Sequence, residues 1–477
     1  MTFYDSNDNP SASNYNIYYE SDFVFLGDLY FSELKNEREK INWDIVKERN
    51  LLFDRVVLLI NRWKGKLPDL GEIFQPKEID WLLTRDVWTL DRPDPTISRF
   101  SLIHFVIKTG YKDSLIKDKD NKPLLRRTTP VHRAAMNYEC IFRLLLNIYD
   151  RFDVNYIDEF GFTHFHAACM YGCEDIVAKF LELGQNPDGL AQETDVSVAD
   201  PPLHLALTHG RKEVIELLLR SGANANLANA NGWTPLHIIC KDDNDNCDLA
   251  ELFFKINDDK RQAIQLNAVD NLGRTPLQCA VAQLCPGLVE ILLNRGADLS
   301  SFVFPTETYF VSRFQCHHPL LIDREPKLVS DVLVILERLM KRGYELSLRG
   351  ALTIMKFFDH IGKPIYKVYL FLEDLDTLKP CRICESDNQW THLCSAHKSV
   401  MMSRTFFECW ALKFFFMLTG HRLPILCCEI IIKQLSNEDL LRMCMAVEIV
   451  IKEQSQTHDV HDKVNEIEQF QNLLIDK

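Results

Sequence analysis

Asn229-Ala230-Asn231-Gly232-Trp233-Thr234-Pro235-Leu236-His237 reads as a tight turn that runs directly into a helix. Gly232 suits the left-handed backbone such a turn demands, Thr234 caps the free amides of a new helix, and Pro235 fits the first helical position. Three residues past the cap, His237 can reach back to the threonine, in the manner of a capping box. The same text recurs as Thr129-Pro130-Val131-His132, Thr163-His164-Phe165-His166, Pro201-Pro202-Leu203-His204 and Thr275-Pro276-Leu277-Gln278. The anchors His132, His166, His204, His237 and Gln278 stand 34, 38, 33 and 41 residues apart. Each copy continues into a second apolar helix: Glu213 to Leu219 runs to Gly222, and Val289 to Leu293 runs to Gly296, glycines placed where a helix needs a left-handed end. A helix pair this small cannot hide its own apolar face, so the copies must stack.

A period near 33 carrying this tetrapeptide resembles the ankyrin repeat. The resemblance implies an all-α fold, an ankyrin-repeat solenoid of stacked helix pairs over residues 100–300, in which the anchors tie helix start to turn and have no catalytic part. Ser101-Leu102-Ile103-His104, 28 residues before His132, keeps the serine and the histidine and is expected to open a degenerate first repeat. Two insertions stretch the period, one from Pro187 to Asp200 and one taking in Lys241 to Asn246 with the longer segment Asn257 to Gln265. Insertions in repeat proteins map to one face, often the binding face, and solvated spacer explains them equally well.

Around the array the sequence predicts four further regions. Residues 1–20, rich in Asn, Asp and Ser, read as a disordered tail. Residues 21–99 form an N-terminal helical region: Val46, Phe53, Val56, Val57 and Ile60 recur at helical spacing, and Pro76 to Thr84 offers a shorter helix. Residues 301–398 read as a cap or linker in which Pro326 to Leu346, ending at Gly343, resembles the second helix of a repeat without its first. Residues 399–477 form a separate helical domain.

The formal charge of −14 argues against nucleic acid or an anionic membrane as the main partner, since both need clustered Lys and Arg. No uninterrupted apolar run approaches 18 residues, and Met1 to Tyr19 lacks the basic start and apolar core of a secretory signal. Fifteen cysteines with no export signal read as reduced thiols, so the expected compartment is the cytosol or the nucleus. Glycine-rich phosphate loops, HExxH and GxSxG are absent, and Asp158-Glu159-Phe160-Gly161 is a repeat turn; the chain is therefore expected to bind and not to catalyse. Cys381, Cys384, Cys394 and His397 form two pairs with the two-residue gap of tetrahedral zinc ligands, so a structural zinc is the one candidate cofactor. The nine-residue spacer is shorter than in finger patterns, and chance pairing in a cysteine-rich chain explains the same residues.

Toward the C-terminus, Leu423-Pro424 opens a stretch with Ile431, Ile432, Leu435 and Leu440 apolar, and Ser436 and Asp439 are spaced to cap a new helix. Order and spacing resemble an F-box, with Leu426 where an acidic residue is usual. Ankyrin repeats followed by a truncated F-box resemble the PRANC arrangement of poxvirus and parasitoid-wasp ankyrin proteins, and Trp410-Ala411-Leu412-Lys413-Phe414 resembles the start of that domain. The resemblance implies an adaptor. The array would hold a client protein, while Leu423, Pro424, Ile431, Leu435, Asp439 and Leu440 would form the interface to the Skp-type linker of a cullin ubiquitin ligase. The rival expectation is a stand-alone ankyrin scaffold or inhibitor that masks a signalling partner such as a Rel-type transcription factor.

Overall fold

The computed structural model describes residues 13–88, 101–115, 117, 123–135, 139–189, 199–241, 246–306, 309, 325–359, 403–416 and 425–455. Among them the fold is all-α, with isolated bridges as its only extended pairing. The chain divides into two compact units, residues 1–230 and 231–477.

The first unit begins with α1 (Ser13–Glu39) and α2 (Val46–Arg62). Residues 13–20 are thus helical and not an unstructured tail. Elongating an existing helix backward is far cheaper than nucleating one, so the apolar period visible further along is not needed at its start. Gly27 lets α1 touch the loop after α2, where a Cβ would stand 2.8 Å from the Lys66 amide nitrogen. Then follow α3 (Pro76–Trp88), α4 (Ser101–Thr109), α5 (Pro130–Ala134), α6 (Glu139–Leu145), α7 (His164–Tyr171), α8 (Glu174–Glu182), α9 (Pro202–Thr208) and α10 (Lys212–Arg220). Leading helices pack on leading helices, α3 on α5, α5 on α7 and α7 on α9; trailing helices pack likewise, α2 on α4, α4 on α6 and α8 on α10.

This register corrects the reading of Ser101-Leu102-Ile103-His104. The segment opens a trailing helix, because α4 lies against α6 and ends at Gly110, φ 76°, as α8 and α10 end at Gly184, φ 88°, and Gly222, φ 98°. The leading place belongs to α3. The start of α4 is capped by Asp86, whose Oδ2 accepts from the Ile103 amide at 3.0 Å. The N-terminal helices therefore continue the pairwise stack.

A buried ion network joins α3 to the first repeat. Arg127 Nε donates to Asp80 Oδ2 at 2.7 Å and its Nη1 to Asp113 Oδ1 at 3.0 Å. Tyr149 donates to Asp80 and Tyr156 to Asp113, both at 2.5 Å. Apolar packing fills the rest: Phe165 and Phe180 meet edge to face at 5.6 Å, and Phe152 meets Phe180 at 5.2 Å.

Asp86 is 3% exposed, and burial pushes its carboxyl up to about 6 although the amide hydrogen bonds pull the other way. A folded-state value above the unfolded 3.8 means its contribution is fully present below about pH 4 and is lost as pH rises through about 6. The first unit should therefore weaken across that window by on the order of 2–3 kcal/mol through this group. Asp86→Asn keeps an acceptor for Ile103 and removes the charge. Melting curves from pH 4 to 7 should show the variant without this decline and more stable than wild type at pH 7; parallel curves would contradict the assignment.

The second unit holds α11 (Pro235–Lys241), α12 (Cys247–Asp259), α13 (Pro276–Ala282), α14 (Pro286–Asn294), α15 (Glu325–Lys341), α16 (348–359), α17 (403–416), α18 (Ile425–Gln434) and α19 (Asn437–Ser455). Here α11 packs on α13, and α12 and α15 both lie along α14. α12 is 13 residues long against 9 for α14, which accounts for part of the 41-residue interval between His237 and Gln278. α15 takes the trailing place that its sequence resembles: Arg338 reaches Glu290, and Arg342 donates to the Leu293 carbonyl at 2.7 Å. α16 closes on Phe304, and Phe358 meets Phe406 of α17 edge to face at 5.6 Å.

Candidate interaction surfaces

Three of the anchors, His132, His237 and Gln278, tie their repeat to the next through a relay. Thr129 N donates to His132 Nδ1 at 3.0 Å, and His132 Nε2 stands 3.2 Å from the Tyr156 carbonyl. A carbonyl only accepts, so Nε2 carries the proton and Nδ1 is the acceptor, which makes the ring neutral. Burial pushes His132 and His166 down to about 4, consistent with that form at neutral pH. His237 repeats the pattern, accepting from Thr234 N at 3.2 Å and donating to the Arg274 carbonyl at 2.9 Å. Gln278 does the same with an amide: its Oε1 accepts from Thr275 N at 2.9 Å and its Nε2 donates to the Val303 carbonyl at 3.0 Å. Glutamine replaces histidine because both offer one acceptor and one donor at similar reach. At His204 the preceding position is Pro201, which has neither hydroxyl nor amide hydrogen, so this form of the relay is not open there.

These relays fix the base of each turn and leave its tip exposed. Asp158 Oδ1 accepts from the amides of Phe160 at 2.8 Å and Phe162 at 2.9 Å, and Phe160 at the tip is 51% exposed. Asp270 Oδ1 accepts from Leu272 N and Arg274 N, each at 2.9 Å, while Val269 and Leu272 are 59% and 74% exposed. Burial would raise Asp270, yet the Arg274 side chain and the two amides hold its carboxyl below the usual range. Trp233 Nε1 donates to the same carboxylate at 3.2 Å, and Lys241 lies 3.6 Å over the Trp233 ring. Rigid turns displaying single large apolar side chains suit the recognition of another protein.

The C-terminal hairpin forms where the sequence places its joint. Ser436 N donates to Asp439 Oδ2 at 3.2 Å and Asp439 N donates to Ser436 Oγ at 3.1 Å, a reciprocal cap at the start of α19. Arg404 of α17 holds the end of α18, donating to the carbonyls of Leu435 at 2.6 Å and Ile432 at 3.1 Å and to Asn437 Oδ1 at 3.0 Å. One side of α18 is sealed, with Cys428 and Ile432 buried. The other shows Leu426 at 71%, Ile430 at 63% and Ile431 at 38% exposure. Leu440, expected at the linker interface, is fully buried, since α19 turns that face inward together with Leu441, Cys444 and Val447. Leu435 is half-buried and Asp439 is exposed but engaged in the cap. Leu423 and Pro424 lie outside the described residues, as do Cys381, Cys384, Cys394 and His397. Among the described residues no group of three or more His, Cys, Asp or Glu could hold a metal ion, and no helix is long and apolar enough to cross a membrane.

The family profile described as "Ankyrin repeats (3 copies)" matches residues 101–189 and 203–302, and the one described as "Ankyrin repeats (many copies)" matches 165–219. The chain carries ankyrin repeats over this stretch, and neither match extends past residue 302. Similar proteins include SMC5-SMC6 complex localization factor protein 1 of Homo sapiens, 35% identical over 121 residues, which cover 25% of this chain and 11% of that protein. B-cell lymphoma 3 protein of Homo sapiens is 30% identical over 146 residues, 30% of this chain and 31% of that protein. BCL-6 corepressor-like protein 1 of Homo sapiens is 37% identical over 93 residues, 20% of this chain and 5% of that protein. The chain thus spans at most about a third of the length of each of these relatives.

Proposed function

We propose that this carrier of ankyrin repeats is a non-catalytic adaptor: the repeat turns hold a client protein and the C-terminal hairpin engages the Skp-type linker of a cullin ubiquitin ligase, in the cytosol or nucleus. The observation that carries the reading is the two-sided α18. A helix anchored on one side by Cys428 and Ile432 presents Leu426, Ile430 and Ile431 outward, the spacing of a helix that lays its apolar side into a partner's groove. The burial of Leu440 moves the interface onto these residues, leaving Leu440 to hold the hairpin together. Such an adaptor acts by raising the effective concentration of client near ligase, which requires no reacting group of its own.

Ile430→Asp in the full chain tests this. Placing an unpaired charge in an apolar groove should abolish co-purification with a recombinant Skp-type linker, while the melting temperature stays within a degree or two because the position is 63% exposed. Undiminished co-purification would remove the ligase half of the proposal. The repeats would then serve alone, as a scaffold or inhibitor masking a signalling partner such as a Rel-type transcription factor. Similarity to B-cell lymphoma 3 protein over 30% of the chain fits this second reading as well as the first.

A further inference from the structure

Glu78, Trp81, Arg85 and Trp88 recur along α3 at intervals of three and four, which sets them on one side of the helix. Trp88 is 54% exposed, and Trp81 and Arg85 are half-buried. The Arg49 guanidinium of α2 lies 5.3 Å over the Trp81 ring, and Trp43 meets that ring edge-on at 5.7 Å. Arg38 and Arg49 lie over rings of this cluster and Arg85 stands one turn past Trp81 on α3, and the three differ in what they bond. Arg38, over Trp43, is spent on Glu78, to which its Nε donates at 2.8 Å. Arg49 and Arg85 each keep a buried Nε with no acceptor among the described residues, and neither forms an ion pair among them.

Nearby carboxylates are already engaged elsewhere. Glu78 accepts from the Gln75 amide as well as from Arg38, and Glu48 accepts from the Asn42 amide at 2.6 Å. Asp80 and Asp86 are committed to Arg127 and to the start of α4. Withdrawing a guanidinium N–H from water without an acceptor costs stability, and native structures seldom leave such a donor unused. A guanidinium held over an indole, as Arg49 is over Trp81, is preorganised: its flat face is occupied and its Nε is sealed, which leaves the terminal Nη edge, with two donors side by side, to meet a carboxylate or phosphate.

We propose that Arg49 and Arg85, flanking Trp81, form a binding site for an acidic segment of the client protein. An anionic side chain accepts from the guanidinium edges, and an adjoining aliphatic residue covers Trp88. The site rests on the reading of the chain as a client-binding protein, and it names the chemistry that selects the client. In a chain of net charge −14, an unpaired arginine pair makes an acidic partner the complementary one.

The test is fluorescence anisotropy of the full chain with a labelled peptide alternating glutamate and leucine, beside the same peptide with glutamine for glutamate and one with phosphoserine for glutamate. The expected result is binding of the acidic peptide that weakens at least about tenfold for the glutamine form, for Arg85→Ala and for Arg49→Ala. Arg49→Lys, which keeps the charge and the stem but loses the fork, should fall between. Arg151→Ala, which removes an exposed arginine paired with Asp153, should bind as wild type. Tighter binding of the phosphoserine peptide assigns the anion as phosphate and keeps the site. Equal binding of the glutamine peptide, unchanged binding by both arginine variants, binding of no peptide, or tighter competition by a single-stranded oligonucleotide overturns it. Linker co-purification through α18 is read separately, so the two proposals fail independently.

Discussion

Arg127→Ala should lower the stability of the first unit by about 3–5 kcal/mol, enough to drop its melting temperature by roughly 10 °C. The arginine side chain is 8% exposed and stands between Asp80 and Asp113, so removing it leaves two carboxylates out of water with no cation. Burial already pushes Asp80 above the ordinary carboxylate range, even with Arg127 beside it. Without Arg127 the upward push of burial on Asp80 would lose its main counterweight, so the loss should shrink as pH falls. The triple variant Arg127→Leu, Asp80→Asn, Asp113→Asn removes all three charges together and should recover most of the deficit, because a buried ion network trades against apolar packing at near parity. A single variant that melts like wild type would show that the network contributes nothing to joining α3 to the first repeat.

Gly232→Ala should be nearly as damaging, with a loss of at least about 2 kcal/mol. Its φ is +76°, which penalises any Cβ. Space is a second obstacle: a Cβ there would stand 2.8 Å from the Asn271 backbone nitrogen and 3.1 Å from the Asp270 carbonyl carbon, atoms of the following turn. Asn271 N donates to the Asn231 carbonyl at 3.1 Å, and this bond between neighbouring turns must break if they separate. Denaturant titration of Gly232→Ala beside Gly296→Ala separates the two causes. Gly296 also has positive φ, 89°, but nothing within 4 Å of its would-be Cβ, so only the strain should remain. Equal losses at the two positions would assign no role to the contact between turns.

The array was legible because its signals are short in range. A cap and its anchor lie three residues apart, so Thr234 with His237 and Thr275 with Gln278 can be read from the chain directly. Ser436 with Asp439 was legible for the same reason. The register of the N-terminal helices was not. What seats α3 as a leading helix is Asp80 bonding Arg127, 47 residues away, and nothing local marks either residue for that role. Ser101-Leu102-Ile103-His104 copied the residue types of a repeat start, but the cap that begins α4 comes from Asp86, 17 residues before Ile103. At the hairpin, apolar spacing announced two helices without saying which apolar residues face inward. In the structure Leu440 is buried and Ile430 stays outside, while Arg404 of α17 holds the end of α18. Arg49 and Arg85 escaped notice because a missing partner has no sequence signature; Trp81 and Arg85 at i and i+4 were the only hint.

The turns separate two duties that most surfaces combine. Asp158 and Asp270 close their loops from beneath, and the anchors hold them from behind, so Phe160 and Leu272 at the summit carry almost no structural burden. Selection can therefore rewrite the summit without unsettling the scaffold. A lineage chasing a changing target could swap one residue per turn and keep everything beneath intact.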